Sequence, residues 1–99
     1  LSGTIAMDLQ SKQLIKSNSI KEETKVVMDY ICKKLNAAGC TFENVVKSNI
    51  FLSDMNHFVH VNEVYAGYFK GDFPTRATIQ AAKLPKDANV EISVVAKIF

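Results

Sequence analysis

The 99-residue chain reads as one small α+β domain, with two helices layered on one face of a sheet. Two observations carry that reading. Apolar residues recur at helical spacing in two stretches, from Ile20 to Ala38 and from Phe58 to Phe69. Elsewhere the chain alternates with a period of two, along Val45–Leu52, Arg76–Ala81 and Val90–Ile98, after a short apolar start at Leu1–Met7. The order is therefore β-α-β-α-β-β, which a layer of helices on a sheet accommodates.

Each element has its own justification. Leu1–Met7 is expected to be a strand interrupted at Gly3, where a glycine marks either a bulge or kink, or a close approach by another backbone or a ligand. Asp8 to Ser19 is polar and without periodicity, a surface loop. Ser19 and Glu22 have the spacing of a capping box at the start of the first helix. Ile20, Val27, Ile31, Leu35 and Ala38 form its buried stripe, widened by Val26 and Tyr30. Glu22, Glu23, Lys25, Asp29, Lys33 and Asn36 are assigned to its outer surface, and Gly39 ends it.

Val45–Leu52 follows a turn at 40–44. Val46, Ser48, Ile50 and Leu52 share one face of this strand, and Val45, Lys47, Asn49 and Phe51 the other. Such mixed faces suit a sheet with helices on one side and a subunit interface on the other. The second helix is expected from Asn56 or His57 to Phe69, with Phe58, Val61, Tyr65, Tyr68 and Phe69 as its stripe and Asn62 within it. In the next strand Arg76, Thr78 and Gln80 oppose Ala77, Ile79 and Ala81, and the small residues suit a crowded core. Pro85 belongs to a connection, and its short length favours an antiparallel hairpin with Val90–Ile98.

Composition narrows the function. Twelve Lys and Arg against ten Asp and Glu leave a formal charge of +2, with no basic cluster to suggest a nucleic-acid surface. Two cysteines, Cys32 and Cys40, are too few for a disulfide framework and lack partners for a zinc site. His57 and His60 lie three apart with no third ligand in view. The cysteine usage leads to the expectation of a reducing, intracellular setting. No membrane-spanning run is seen, and the opening residues do not form a signal peptide.

The chemistry concentrates between Phe73 and Glu91. Arg76 offers a planar donor fork suited to a carboxylate. Glu91 is suited to orienting water or accepting a proton. A salt bridge at the surface or an interface is the plain alternative for each. In a symmetric hairpin Arg76 would face residue 96, leaving Glu91 about 16 Å along at roughly 3.3 Å per residue. One chain would then keep the two apart, whereas a neighbouring subunit could unite them. No phosphate loop, dinucleotide fingerprint or serine elbow is present.

The same residues carry a resemblance. Phe73-Pro74-Thr75-Arg76-Ala77, Leu84-Pro85-Lys86 and Val90-Glu91-Ile92 are similar to the signature of the reactive intermediate deaminase (Rid) family, also called the YjgF, translation-inhibitor or endoribonuclease L-PSP family. Ser2-Gly3, Ala37-Ala38-Gly39, Val45-Val46-Lys47, Asp54 to Phe58 and Val61 to Tyr65 extend it along nearly the whole chain. The resemblance implies a chorismate-mutase-like fold, a homotrimer with a barrel-like core, and clefts between subunits. It implies hydrolysis of enamine and imine intermediates such as 2-aminoacrylate and 2-iminopropanoate to 2-oxo acids and ammonia, without cofactor or metal. Arg76 then clamps the substrate carboxylate and Glu91 activates water. Ser2, Gly3 and Asn62 line the pocket, and Thr78 stands where some members have cysteine. The cytoplasm is the expected compartment, with the mitochondrion as alternative.

Two departures accompany the resemblance. Relatives have about two strands and a pocket tyrosine ahead of the Ser-Gly pair, so missing N-terminal strands are expected here. The Ser17-Asn18-Ser19 region also lacks the glycine-rich loop common among them. The competing functions are a non-catalytic binder of carboxylate metabolites, a ribonuclease or translation inhibitor, and a structural oligomer.

Overall fold

The computed structural model describes residues 3–8, 10–15, 19–71 and 73–98. Two helices, α1 (Ile20–Ala37) and α2 (Phe58–Ala66), accompany three strands, β1 (Val45–Leu52), β2 (Thr75–Gln80) and β3 (Val90–Ala96). The α+β expectation is met in this form.

α1 begins on the Ser19 half of the expected capping box, with no return bond from the Glu22 side chain among the described residues, and ends as its residues require. The Ser19 hydroxyl accepts from the Glu22 amide at 3.1 Å. At the other end Cys40 N–H bonds the Leu35 carbonyl at 2.8 Å and Gly39 N–H bonds that of Asn36 at 3.0 Å. That pair of bonds is a Schellman cap, and Gly39 supplies its left-handed residue with φ +78°. Val27, Met28, Ile31 and Leu35 of α1 meet Val61 and Tyr65 of α2 over Ile50, Leu52, Val90, Ile92 and Val94 of the sheet. α2 is shorter than expected. It stops at Ala66, and Tyr68 and Phe69 continue in tight turns that stack against Phe42.

The sheet corrects the predicted hairpin. Its order is β2-β1-β3, with β1 parallel to β2 and antiparallel to β3. The segment between β1 and β2 carries α2 and is long enough for a crossover, which returns the chain to run parallel. The nine-residue link from 81 to 89 does not turn tightly; it straddles the end of β1. Ala81 N–H bonds the Leu52 carbonyl at 2.9 Å, and Ser53 N–H bonds the Asn89 carbonyl at 3.1 Å.

Register also reassigns faces. Arg76, Thr78 and Gln80 align with Ser48, Ile50 and Leu52, the buried row of β1, and so belong to the helix side. The predicted core row of small residues lies on the uncovered side instead: Ala77 is exposed and Ile79 is 53% exposed. A bulge between Val45 and Lys47 shifts the alternation at the start of β1, so Val45 is buried and Val46 exposed, the reverse of the expected phase. Among the described residues, the predicted first strand is represented by two isolated antiparallel bridges, Thr4 to Ile92 and Met7 to Leu14. Asp8–Ser19 contains a small turn closed by a Met7–Leu14 bridge, with the Asp8 carboxylate accepting from the Gln10 and Ser11 amides. Those amides hold the Asp8 carboxyl below the usual carboxylate range.

Glu23 is the clearest misplacement. Instead of facing solvent it is 4% exposed. Its carboxylate accepts from Asn89 N–H at 2.8 Å, Asn89 Nδ2 at 2.9 Å and Val90 N–H at 3.3 Å. Asn89 is bound in turn by Ser53, so one knot joins α1, the end of β1 and the start of β3. We predict that Glu23→Ala, which strands these donors, costs about 2–4 kcal/mol. Glu23→Gln, which keeps an acceptor, costs less. Urea unfolding of both variants checks this, and an unchanged midpoint for Glu23→Ala would refute it.

Candidate functional site

Arg76 leaves β2 on its helix-facing side and meets α2. Phe58, Asn62 and Tyr65 fall at i, i+4 and i+7, which places them along one stripe of that helix. The guanidinium lies 5.5 Å from the Phe58 ring centroid and 5.4 Å from that of Tyr65, distances suited to cation–π attraction. One Nη1–H donates to Asn62 Oδ1. Asn62 is expected to line a pocket; in the structure its partner is the arginine itself.

No acid neutralises Arg76 among the described residues. Arg76 lines a cleft of about 450 Å³ together with Asn62, Tyr65, Ala66, Phe73 and Pro74. An uncompensated guanidinium fork beside a cleft of mixed polar and apolar lining has the chemistry to accept a small carboxylate with a hydrocarbon portion. Beneath it the polar atoms are sparsely partnered. Ser48 Oγ, Tyr65 Oη and Thr78 Oγ1 are buried, and none has a hydrogen bond of good geometry among the described residues. Burial raises the Tyr65 phenol above its ordinary range, an effect eased by the nearby Ser48 hydroxyl and the charge of Arg76. A separate cleft of about 510 Å³ beside Phe42 and Tyr68 contains none of the candidate residues.

Glu91 belongs to a different cluster. It aligns with Phe51, whereas Arg76 aligns with Ser48 three residues earlier on β1, so the two side chains leave opposite faces. Two strand spacings and three residues of rise separate their backbones by about 14 Å. Gly3 approaches Glu91 so closely that a Cβ at position 3 would lie 2.2 Å from Glu91 Oε2. The glycine marks a close approach, but by the Glu91 side chain rather than by a backbone or a ligand. Ser2, the remaining expected pocket residue, lies outside the described residues, as do Ser17 and Asn18. Thus one chain brings together Arg76 with Asn62 and Gly3 with Glu91, but not the two pairs. Phe58 and Tyr65 had been read only as core residues, since an aromatic stripe on a helix carries no mark of the cation it will meet.

Comparison with known proteins places the chain. The family model for endoribonuclease L-PSP matches residues 1–98. The chain belongs to this family, the Rid/YjgF family, and it is deaminase-like in sequence over nearly its whole length. A 2-iminobutanoate/2-iminopropanoate deaminase of Homo sapiens is 48% identical over 96 residues, covering 97% of this chain and 69% of the human protein. A Rid-family protein of Yersinia pestis superimposes with a TM-score of 0.91 at 40% identity, covering 98% of this chain and 77% of that one. TdcF of E. coli, determined with bound serine, gives a TM-score of 0.86 at 30% identity, covering 96% of this chain and 76% of its own.

The Gly3–Glu91 approach yields a prediction. Gly3→Ala should displace the Glu91 carboxylate, the movable end of a flexible side chain, while leaving the fold intact. Carboxyl chemical shifts of Glu91 should change while the melting temperature stays within a few degrees. An unmoved Glu91 resonance would contradict the contact.

Proposed function

We propose that this protein hydrolyses small enamine and imine acids such as 2-aminoacrylate and 2-iminopropanoate, releasing a 2-oxo acid and ammonia. The observation that carries the proposal is the Arg76 guanidinium, held in place at a cleft and neutralised by no acid among the described residues. The deaminase names of the human and other mammalian relatives support the same reaction.

The chemistry asks for little machinery. An imine carbon is already electrophilic, so the reaction needs a fixed substrate and a directed water. Arg76 holds the carboxylate. 2-Aminoacrylate enters as its imine tautomer, 2-iminopropanoate. Water adds to C2 as Glu91 takes its proton and returns it to the imine nitrogen, giving the carbinolamine. Glu91 then carries the hydroxyl proton to the amine, the C–N bond breaks as the C=O forms, and ammonia departs from the 2-oxo acid. The sequence is a hydrolysis with no change of oxidation state.

For Arg76 and Glu91 to act on one molecule, they must come from different subunits. We infer a homotrimer of chorismate-mutase type in which the uncovered sheet faces pack into a barrel-like centre, with the clefts between subunits. Val46, Ile79 and Val95, exposed by 41%, 53% and 50% in the single chain, supply an apolar surface for that packing. Ser2 and Gly3 would line the wall carrying Glu91, and Asn62 the wall carrying Arg76. The compartment proposed is the cytoplasm, with the mitochondrion as alternative. Among the described residues no helix is long and apolar enough to cross a membrane.

A second reading is a non-catalytic carboxylate sensor, favoured by the serine held in the E. coli relative. It uses Arg76 and does not require Glu91. The ribonuclease suggested by the family name finds less support in a chain whose formal charge is +2.

The test generates 2-aminoacrylate in situ and follows 2-oxo-acid release. Arg76→Ala should lower kcat/KM about 10²–10³-fold, and Glu91→Ala should lower kcat by about 10² or more. Co-assembling the two inactive variants should restore about a quarter of native activity, because some clefts then receive one intact wall from each partner. No acceleration over spontaneous hydrolysis by the native protein would sink the deaminase reading. Full turnover in Glu91→Ala would remove Glu91 from the mechanism, and absence of complementation would remove the shared cleft.

A further inference from the structure

We propose that Asn62 is a positioning residue which acts through Arg76, and that Phe58, Asn62 and Tyr65 together form a neutral cradle setting the direction of the guanidinium fork. The inference rests on reading Arg76 as a carboxylate receptor, and it assigns Asn62 a role different from direct contact with substrate.

Three observations support it. First, the cradle lies on a single helical stripe, so its members are fixed relative to one another by α2 rather than by a loop. Second, the stripe is anchored below. Tyr65 is 2% exposed and Val61 is 1% exposed, both within the main core, so the cradle cannot shift without disturbing that packing. Third, the chemistry of the cradle is selective. Two ring faces and an amide oxygen each attract a cation, yet none carries a full negative charge.

The neutrality is the informative part. An arginine extending from a strand onto a helix surface is commonly fixed by Asp or Glu, which orient it through strong hydrogen bonds. A carboxylate at position 62 would orient Arg76 equally well, but it would occupy the guanidinium and repel an incoming acid. Asn62 is nearly isosteric with aspartate and supplies the acceptor without the charge. Orientation is thereby separated from neutralisation. The Nη1 donor is committed to Asn62 while the charge and the remaining donors stay available to a ligand carboxylate. The ring faces hold the guanidinium plane, which restricts its rotation before the ligand arrives.

This predicts a pattern that a general stabilising role would not produce. Binding of two unreactive probes, butanoate and 2-oxobutanoate, is measured by calorimetry for the native protein and for Asn62→Asp, Asn62→Ala, Asn62→Ser and Phe58→Leu. The Arg76 Nε–H resonance is followed by NMR, and melting temperatures are recorded alongside. Asn62→Asp should keep the fold and an ordered Arg76 resonance while weakening both probes on the order of a hundredfold. Asn62→Ala should weaken both roughly tenfold and broaden the Arg76 signal toward that of a free side chain. Asn62→Ser, which retains an acceptor, should lie between Asn62→Ala and the native protein, and Phe58→Leu should weaken both probes equally. With reactive imine, Asn62→Asp should raise KM far more than it lowers kcat.

Loss of 2-oxobutanoate binding with butanoate unaffected would show Asn62 touching the ligand's 2-substituent, and the proposal would fall. It would fall equally if Asn62→Asp bound both probes as the native protein does, or if the native protein bound neither. Should Asn62→Ala fail to fold, the isosteric Asn62→Asp still decides. Absence of turnover in the native protein with both probes bound through the cradle would overturn the deaminase reading and leave this one standing.

Discussion

β1 is hydrogen-bonded along both edges, and from that constraint most of the structure follows. Because β2 takes one edge in parallel and β3 the other in antiparallel, the last two strands can never be neighbours. The link between them must cross the end of β1. Its far end is secured by the knot in which Asn89 is bound by Glu23 and Ser53. Arg76 and Glu91 are consequently placed on strands separated by β1, at levels three residues apart, and so on opposite faces. The separation of Arg76 from Glu91 is thus a result of strand order and register together.

α2 serves two purposes with one stripe. Val61 and Tyr65 close the core against α1 and the sheet, while Phe58, Asn62 and the upper face of Tyr65 receive Arg76. A cradle built on a helix that is itself part of the core has rigidity that a surface loop lacks. The same arrangement leaves buried hydroxyls of Ser48, Tyr65 and Thr78 beneath the arginine. Such groups are costly in an otherwise apolar interior, and their concentration here agrees with a region shaped by polar chemistry as well as packing.

Three placements in the fold depart from what local sequence rules lead one to expect. Glu23 was assigned to the outer surface because charge ordinarily faces water, yet the open amides of Asn89 and Val90 supply a partner that only the folded chain brings near. The alternation in β2 was detected correctly, but its polar row faces α2 and its small row lies uncovered. Periodicity separates two faces without saying which is inside, and a row containing Arg, Thr and Gln gives the wrong hint. The β1 phase failed only before the bulge at Val45/Lys47, where one extra residue reverses the alternation. By contrast, the Ser19 cap and the Gly39 stop were legible because both depend on local backbone chemistry.

The amino-acid sequence by itself determined the types of α1, α2, β1, β2 and β3, the limits of α1 and β1, the family, and the choice of Arg76, Glu91, Gly3 and Asn62 as residues of interest. These rest on local propensity, periodicity and motifs, which need no knowledge of distant neighbours. Strand order, the side each row faces, the burial of Glu23 and the meeting of Arg76 with Phe58, Asn62 and Tyr65 were decided by tertiary structure alone. Each depends on which backbone edges and side chains satisfy one another across long stretches of chain, and pairwise closure of that kind has no period along the sequence.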